Sequence, residues 1–265
     1  MMPPRLELVR RCAAAFPPLE TAFDDGLLCR GGELRPEWLL AAYSCGIFPW
    51  FNQGVPLWWA PDPRCVLPLE KFCLPRRSAR YIRRRDFALT WNAAFEQVIS
   101  ACAAPRRYAG REETGTWINR DMARAYTELH RLGYAHSLEV WREGTLAGGL
   151  YGVSLGKAFF GESMFHRESE ASRAALAGLV TLLRQRGATL LDCQMETPHM
   201  MGMGAELWPR TRYMAALRQA VASPRELSER LWLPWTEGYE HRDGLWRQRA
   251  EKGASCGSFR VAEQA

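Results

Sequence analysis

Apolar residues recur at two spacings along this chain, and each spacing predicts a different kind of element. In the middle of the chain, Met122, Tyr126 and Leu129 lie on one face of a helix. That helix begins after the N-cap residue Asn119 and ends at Gly133. The same reasoning predicts further helices over residues 36–44, 93–102 and 169–186.

Strand-like runs occupy the stretch between the helix that ends at Gly133 and the helix predicted over 169–186. Strands are expected at 137–142, 145–155 and 157–164, because turn signals at Glu143-Gly144 and Leu155-Gly156 separate them. A fourth short strand is expected at 188–194, after the helix over 169–186. Three strands, a helix and a strand in this order are typical of acetyl-CoA-dependent acyltransferases. The pattern therefore predicts an α+β fold with a mixed sheet flanked by helices.

The 265 residues are enough for one large domain with a smaller partner. Residues 1–65 are rich in Pro, Gly and Trp and are expected to form a small N-terminal domain. Residues 66–235 are expected to form the acyltransferase-like domain, and 236–265 a polar tail without periodicity.

Composition excludes several classes of protein. No stretch approaches the roughly 18 apolar residues that cross a bilayer, and the first residues lack an export signal, so we expect no membrane association and a cytoplasmic location. Eight scattered cysteines form no C-x-x-C pair, which favours reduced thiols over a disulfide framework and indicates no metal site. The net charge of +6 permits an anionic partner but does not identify one.

Several long strings resemble the leucyl/phenylalanyl-tRNA-protein transferases. They are YSCGIFPWF at 43–51, LWWAPDPRCVL at 57–67, GTWIN at 115–119, AYTELHRLGYAHSLEVW at 125–141, GGLYGV at 148–153, FFGESMF at 159–165 and LLDCQ at 190–194. The resemblance covers about residues 5–235. It implies a small N-terminal domain, an acyltransferase-like (GNAT-like) C-terminal domain, and transfer of Leu, Phe or Met from aminoacyl-tRNA to proteins with N-terminal Arg or Lys, which marks them for degradation. It also implies a monomer without metal or nucleotide cofactor.

The resemblance places the terminal adenosine of the tRNA between Trp50 and Trp117, with Tyr43 and Tyr126 as nearby hydrogen-bonding residues. Stacking on aromatic rings is a general way to hold an unpaired base. For any single tryptophan, packing in the core is the alternative. The aminoacyl side chain is expected in an apolar pocket, and the family pattern points to Leu150, Phe159, Met164, Leu176, Leu179 and Leu191.

Arginines cluster between residues 76 and 85, and Arg76, Arg80, Arg83 and Arg84 would lie on one side of a helix. Such a surface suits tRNA phosphates, because their neutralisation releases counterions. A solvated helix face is the alternative.

The strand LLDCQ carries the residues expected to handle the acceptor amine. Alternation directs Asp192 and Gln194 to one face and Cys193 to the other, into packing. The resemblance implies that Gln194 holds the acceptor amine through the carbonyl oxygen of its side chain. It also implies that Asp192 polarises this arrangement of Gln194 and the amine and assists proton transfer. Asp192 as a simple loop cap is the alternative.

Glu162 is the third expected catalytic residue. Its carboxylate could hold the amino group of the donor aminoacyl group or of the N-terminal residue of the acceptor. The alternative is that Glu162 only accepts a structural hydrogen bond. Thr197 is the expected acceptor contact. It stands where related sequences commonly have Asn, and Gly202-Met203-Gly204 departs from their Ser-Leu-Gly.

Two other functions remain open from the sequence. A CoA-dependent N-acyltransferase would need glycines before the long helix to approach the pyrophosphate, whereas residues 166–173 read HRESEASR. If the chain were a non-catalytic RNA-binding protein, Asp192 and Gln194 on one face of a strand would have no function, which argues against this alternative.

Overall fold

The computed structural model describes residues 6–51, 53–104 and 118–221, with the backbone of the short strands at 107–108, 111–112 and 246–247. Its helices are α1 (Leu6–Ala15), α2 (Pro36–Ser44), α3 (Arg76–Arg84), α4 (Phe95–Cys102), α5 (Arg120–Arg131), α6 (Ala171–Gln185), α7 (Pro198–Met201) and α8 (Arg210–Ala220). Its strands are β1 (Leu27–Arg30), β2 (Phe48–Pro49), β3 (Leu57–Trp59), β4 (Arg64–Val66), β5 (Ala88–Trp91), β6 (Arg107–Tyr108), β7 (Arg111–Glu112), β8 (Ala135–Arg142), β9 (Thr145–Leu155), β10 (Ala158–His166), β11 (Leu190–Gln194), β12 (Glu206–Trp208) and β13 (Trp246–Arg247).

One large mixed sheet organises the molecule, with the strand order β12-β4-β11-β10-β9-β8-β5-β13. The β10–β11 pair is parallel, with α6 as the connection, and the other neighbours in this order are antiparallel. Helices cover both faces, so the predicted fold class is confirmed.

The N-terminal part contains α1 packed on α2 and a small sheet of order β1-β3-β2. Strand β4 already belongs to the large sheet, although it begins at Arg64, just before the predicted domain boundary. The boundary itself stays a prediction, and residues 222–235 and the tail lie outside the described residues except for β13.

Two apolar clusters fill the space on the two sides of the sheet. The first joins the N-terminal part to α4 and α5, with Tyr43, Val98 and Leu129 among its members. The second lies under α3 and α6, with Ile82 and Leu179 among its members. Strand residues alternate between the clusters, because successive side chains point to opposite faces.

The predicted elements recur within two or three residues. Asn119 caps α5, since its side chain accepts a hydrogen bond from the Met122 amide at 2.9 Å. Glu143 and Gly144 connect β8 and β9 with φ values of 51° and 75°, the conformation of a tight hairpin turn. The short strands β4, β5 and β12 were not predicted, because an alternation of apolar and polar residues cannot be recognised over three or four positions.

No helix in the described part is long and apolar enough to cross a membrane. The seven cysteines found in that part are all free thiols, as expected for reduced cysteines.

Candidate active site

The candidate site lies where the parallel strands β10 and β11 stop pairing. Their backbone pairing runs from Ala158 with Leu190 to Phe160 with Asp192. Just beyond that point, the Gln194 side-chain amide donates a hydrogen bond of 3.0 Å to Glu162 Oε1. A pair of polar side chains therefore bridges the strands where the ladder has ended.

Irregular backbone directs both of these side chains. Glu162 sits in a bulge of the β9–β10 ladder, between Gly161 and Ser163. Gln194 has a φ of 57°, a left-handed conformation that side chains rarely adopt, and the β4–β11 register shifts between Asp192 and Gln194. Bulges of this kind are frequent beside active sites because they re-aim side chains.

Asp192 is wholly buried and is saturated with hydrogen bonds. Its Oδ1 accepts from Arg64 Nε at 2.9 Å and from the backbone amide of Gln194 at 2.8 Å. Its Oδ2 accepts from Arg64 Nη2 at 2.8 Å and from the Tyr213 hydroxyl at 2.7 Å. The alternative of a loop cap is thus partly realised, since Asp192 holds the backbone turn at Gln194.

Arg64 is almost as deeply buried as Asp192, with 1% of its side chain exposed. Its guanidinium lies 4.7 Å from the centroid of the Phe48 ring and 4.9 Å from that of Tyr213. Burial alone would lower the pKa of Arg64, but the Asp192 carboxylate outweighs it, and the net shift is upward. The Arg64 guanidinium therefore stays charged beside Asp192.

Two buried phenols complete the surroundings of Glu162. The Tyr126 hydroxyl donates to Glu162 Oε2 at 2.9 Å, and the Tyr43 hydroxyl lies 2.5 Å from that of Tyr126. Burial raises the pKa of Glu162 to about 7, the Tyr43 and Tyr126 hydrogen bonds oppose this rise, and the nearby Asp192 charge adds to it. Glu162 therefore titrates close to neutral pH, in the range that suits a general base.

The residues expected around the adenosine differ in their surroundings. Tyr43 and Tyr126 are buried, and their hydroxyls belong to the Glu162 network. Trp50 is 37% exposed between β2 and β3, with its ring 5.2 Å from that of Trp59. Trp117 lies outside the described residues.

The residues expected for the aminoacyl pocket share one place in the fold. All six belong to or pack against the second apolar cluster: Leu150, Phe159, Met164, Leu176, Leu179 and Leu191. The Glu162 network adjoins the first cluster instead, because Tyr43, Tyr126 and Tyr213 belong there. The end of the β10–β11 ladder lies between the two groups.

Asp192 and Gln194 bond on the side of the first cluster while Cys193 packs against the second, in agreement with the predicted alternation. Thr197 is exposed three residues beyond Gln194, and its hydroxyl caps α7 by accepting from the Met200 amide at 3.2 Å. The prediction missed Arg64 and Tyr213. Arg64 stands in the string LWWAPDPRCVL, but no local signal connects Tyr213 with the site.

The predicted arginine surface is helix α3. Ser78 and Ile82 form its buried side, and the exposed residues include Arg76, Arg80, Arg83 and Arg84. Among the ion pairs of the described residues, none neutralises these four arginines.

Known proteins resemble this chain along most of its length. Residues 66–218 match the family model for leucyl/phenylalanyl-tRNA protein transferase, and residues 32–62 match that for its N-terminal domain. A leucyl/phenylalanyl-tRNA–protein transferase of Lawsonia intracellularis is 51% identical over 209 residues, 78% of this chain and 90% of its own length. The enzyme of that name from Aromatoleum aromaticum is 52% identical over 205 residues, 76% of this chain and 85% of its own.

Similarity to solved structures is much weaker. The structure of L-PGS from Bacillus licheniformis, with 11% identity and a TM-score of 0.35, covers 69% of this chain and 57% of that one. Such a low similarity carries no information on function. The matches to the family models and relatives establish that the chain belongs to the leucyl/phenylalanyl-tRNA protein transferase family.

Proposed function

We propose that this protein transfers Leu, Phe or Met from aminoacyl-tRNA to the N-terminal Arg or Lys of an acceptor protein, which marks the acceptor for degradation. The hydrogen bond between Gln194 and Glu162 beyond the last β10–β11 pair is the observation that carries the proposal. It puts a carboxyl group with a pKa of about 7 beside an amide in a family of aminoacyl transferases.

The chemistry needs a neutral amine, an ester carbonyl and a proton acceptor. The Gln194 amide nitrogen is engaged by Glu162, so its carbonyl oxygen is left to accept from the acceptor amine. The amine nitrogen forms a bond to the ester carbon while the bond from that carbon to the tRNA ribose oxygen breaks. Glu162 takes the proton that the amine loses and then gives it to the ribose oxygen, which leaves as a hydroxyl group, so that Glu162 returns to its starting state. Because the ester is already activated, positioning supplies much of the acceleration.

Donor binding divides among three surfaces. We propose that Trp50 and Trp117 stack on the terminal adenine, with Tyr43 and Tyr126 as neighbours of the same nucleoside. The aminoacyl side chain would enter the second cluster from the end of the β10–β11 ladder, among the six pocket residues named above. The exposed arginines Arg76, Arg80, Arg83 and Arg84 would neutralise acceptor-stem phosphates. Thr197, just beyond Gln194, would contact the acceptor chain.

The start of α6 supports a donor other than CoA. Glu168 and Glu170 stand there in ion pairs with Arg142 and Arg173, at 2.8 Å and 2.9 Å. In CoA-dependent enzymes a glycine-rich backbone at the start of such a helix binds the pyrophosphate of CoA. Carboxylates at the same position repel a pyrophosphate. We further propose a monomer that works without metal or nucleotide cofactor in the cytoplasm, where charged tRNA is present.

A transfer assay tests the proposal. The protein is incubated with radiolabelled leucyl-tRNA and a protein bearing N-terminal Arg, with ribonuclease treatment as one control and Gln194→Ala as another. The matched variant Glu96→Gln alters an exposed carboxylate on α4 that is not among the residues assigned to the site, and should keep full activity. Ribonuclease-sensitive transfer of label that Gln194→Ala lowers would support the proposal. Transfer from acyl-CoA alone would indicate an N-acyltransferase, and label that stays on tRNA an RNA-binding protein.

A further inference from the structure

Arg64 is hydrogen-bonded to the site through Asp192, and its position is constrained on several sides. Two hydrogen bonds, of 2.9 Å and 2.8 Å, fix the guanidinium edge to the carboxylate. The rings of Phe48 and Tyr213 lie near the guanidinium. The charge of Arg64 also lowers the pKa of Glu162, but Arg64→Lys keeps that charge and changes mainly the hydrogen bonds to Asp192.

Asp192 has no room left for a proton from the acceptor amine. A carboxylate offers about four lone-pair positions. Arg64 takes two of them, and the Tyr213 hydroxyl and the Gln194 backbone amide take the others. Complete burial also separates this carboxylate from an incoming amine. Asp192 therefore contributes orientation, and Glu162 is left as the proton acceptor.

The orientation concerns the backbone of Gln194. Its left-handed φ of 57° is intrinsically unfavourable for a residue with a side chain, so the surrounding contacts must hold it. The bond of 2.8 Å from the Gln194 amide to Asp192 Oδ1 is such a contact. From this turn the Gln194 side chain reaches Glu162 on the neighbouring strand.

We propose that Arg64, assisted by Tyr213, is a positioning residue for aminoacyl transfer: it fixes the Asp192 carboxylate, which holds the turn at Gln194 and thereby aims the Gln194 amide at Glu162. The inference rests on the proposed transfer function. It assigns a role in the rate of transfer to two residues, from β4 and α8, that do not face the substrates.

A double-mutant cycle separates this role from a general contribution to folding. Arg64→Lys keeps the charge but loses the two-pronged bond, and it is combined with Gln194→Ala. We expect Arg64→Lys to lower kcat about tenfold with the KM for leucyl-tRNA nearly unchanged. In the Gln194→Ala background the same change should lower kcat less than about twofold, because the residue through which Arg64 acts is gone. An equal loss in both backgrounds would overturn the inference.

Tyr213→Phe provides a second cycle if Arg64→Lys does not fold. It removes the hydroxyl bond to Asp192 and leaves the ring beside the guanidinium. We expect Tyr213→Phe to lower kcat about threefold in the wild-type protein and to have no effect in the Gln194→Ala background. No loss of kcat in the wild-type background, or the same loss in both backgrounds, contradicts the inference. Arg142→Lys is the matched control, since it alters another arginine–carboxylate pair away from the site. Wild-type protein without transfer would instead contradict the proposed function.

Discussion

The side-chain amide of Gln194 lies 3.0 Å from Glu162 Oε1. Each of the two residues is two positions beyond the last parallel backbone pair, which joins Phe160 to Asp192. In a regular parallel sheet the two strands would be held there by main-chain hydrogen bonds. Here side chains bridge the strands instead, and one of them is an ionisable group whose pKa is close to 7. The protonation state of Glu162 should therefore be visible in the rate of transfer.

We expect kcat to rise with pH through about 7. Burial raises the pKa of Glu162 to about 7, so below this pH the carboxyl group is protonated and cannot act as the base that takes the amine proton. Above it the carboxylate can accept the proton. A free acceptor amine adds its own titration near 8. Rates in single-turnover experiments on both sides of pH 7 measure the profile.

The variant Glu162→Gln is the control for this profile. It should lower the rate and lose the step near pH 7, while the titration of the acceptor amine remains. A step near 7 that persists in Glu162→Gln would assign it to another group and remove Glu162 from the proton transfer.

Asp192→Ala and Gln194→Ala should have similar effects on transfer but different effects on stability. Each should lower the transfer rate strongly and leave aminoacyl-tRNA affinity nearly unchanged, because both act on the amine side of the reaction. Asp192→Ala leaves the Arg64 guanidinium buried without its carboxylate, which costs about 3–5 kcal/mol. Gln194→Ala removes a hydrogen bond worth about 1 kcal/mol. Denaturant unfolding measures the difference, and equal stability of the two variants would speak against a charged Arg64–Asp192 pair.

Replacing Arg80 and Arg84 by Ala should weaken the binding of all tRNAs alike. Both side chains are exposed on α3, so folding stability should change little. If they bind phosphates, the slope of log K against log salt should fall by about one for each phosphate that is no longer neutralised. Arg124→Ala, which removes an exposed arginine from α5, is the matched control and should leave the slope unchanged. An unchanged slope in the α3 variant would mean that the arginines form only a solvated face.

Trp50 and Trp58 should respond in opposite ways to replacement by Ala. Trp50 is 37% exposed, so Trp50→Ala should hardly alter the melting temperature. If its ring holds the terminal adenine, the variant should raise the KM for aminoacyl-tRNA by the equivalent of about 1–3 kcal/mol. Trp58 is 1% exposed, and Trp58→Ala should cost about 3–5 kcal/mol of folding stability. A Trp50→Ala variant that melts as low as Trp58→Ala, or binds tRNA normally, contradicts stacking.

Local patterns determined the elements of this protein that depend on neighbours in the chain. The Asn119 cap, the turn at Glu143 and Gly144, and the helix α2 were predicted at their observed places. The placement of Asp192 and Gln194 against Cys193 also followed from strand alternation. In each case the decisive contacts join residues a few positions apart, so a sequence window contains them.

Tertiary structure alone decided the electrostatics of the site. Arg64 and Asp192 are 128 residues apart in sequence, and Tyr43 and Tyr126 are 83 apart. The resemblance suggested both tyrosines as neighbours of the adenosine, and the fold in addition bonds their buried hydroxyls into the Glu162 network. A pKa shift depends on burial and on charges brought close by packing, and neither has a local signature. The chain thus indicates which residues can do chemistry, but the packed sheet decides which of them holds a proton.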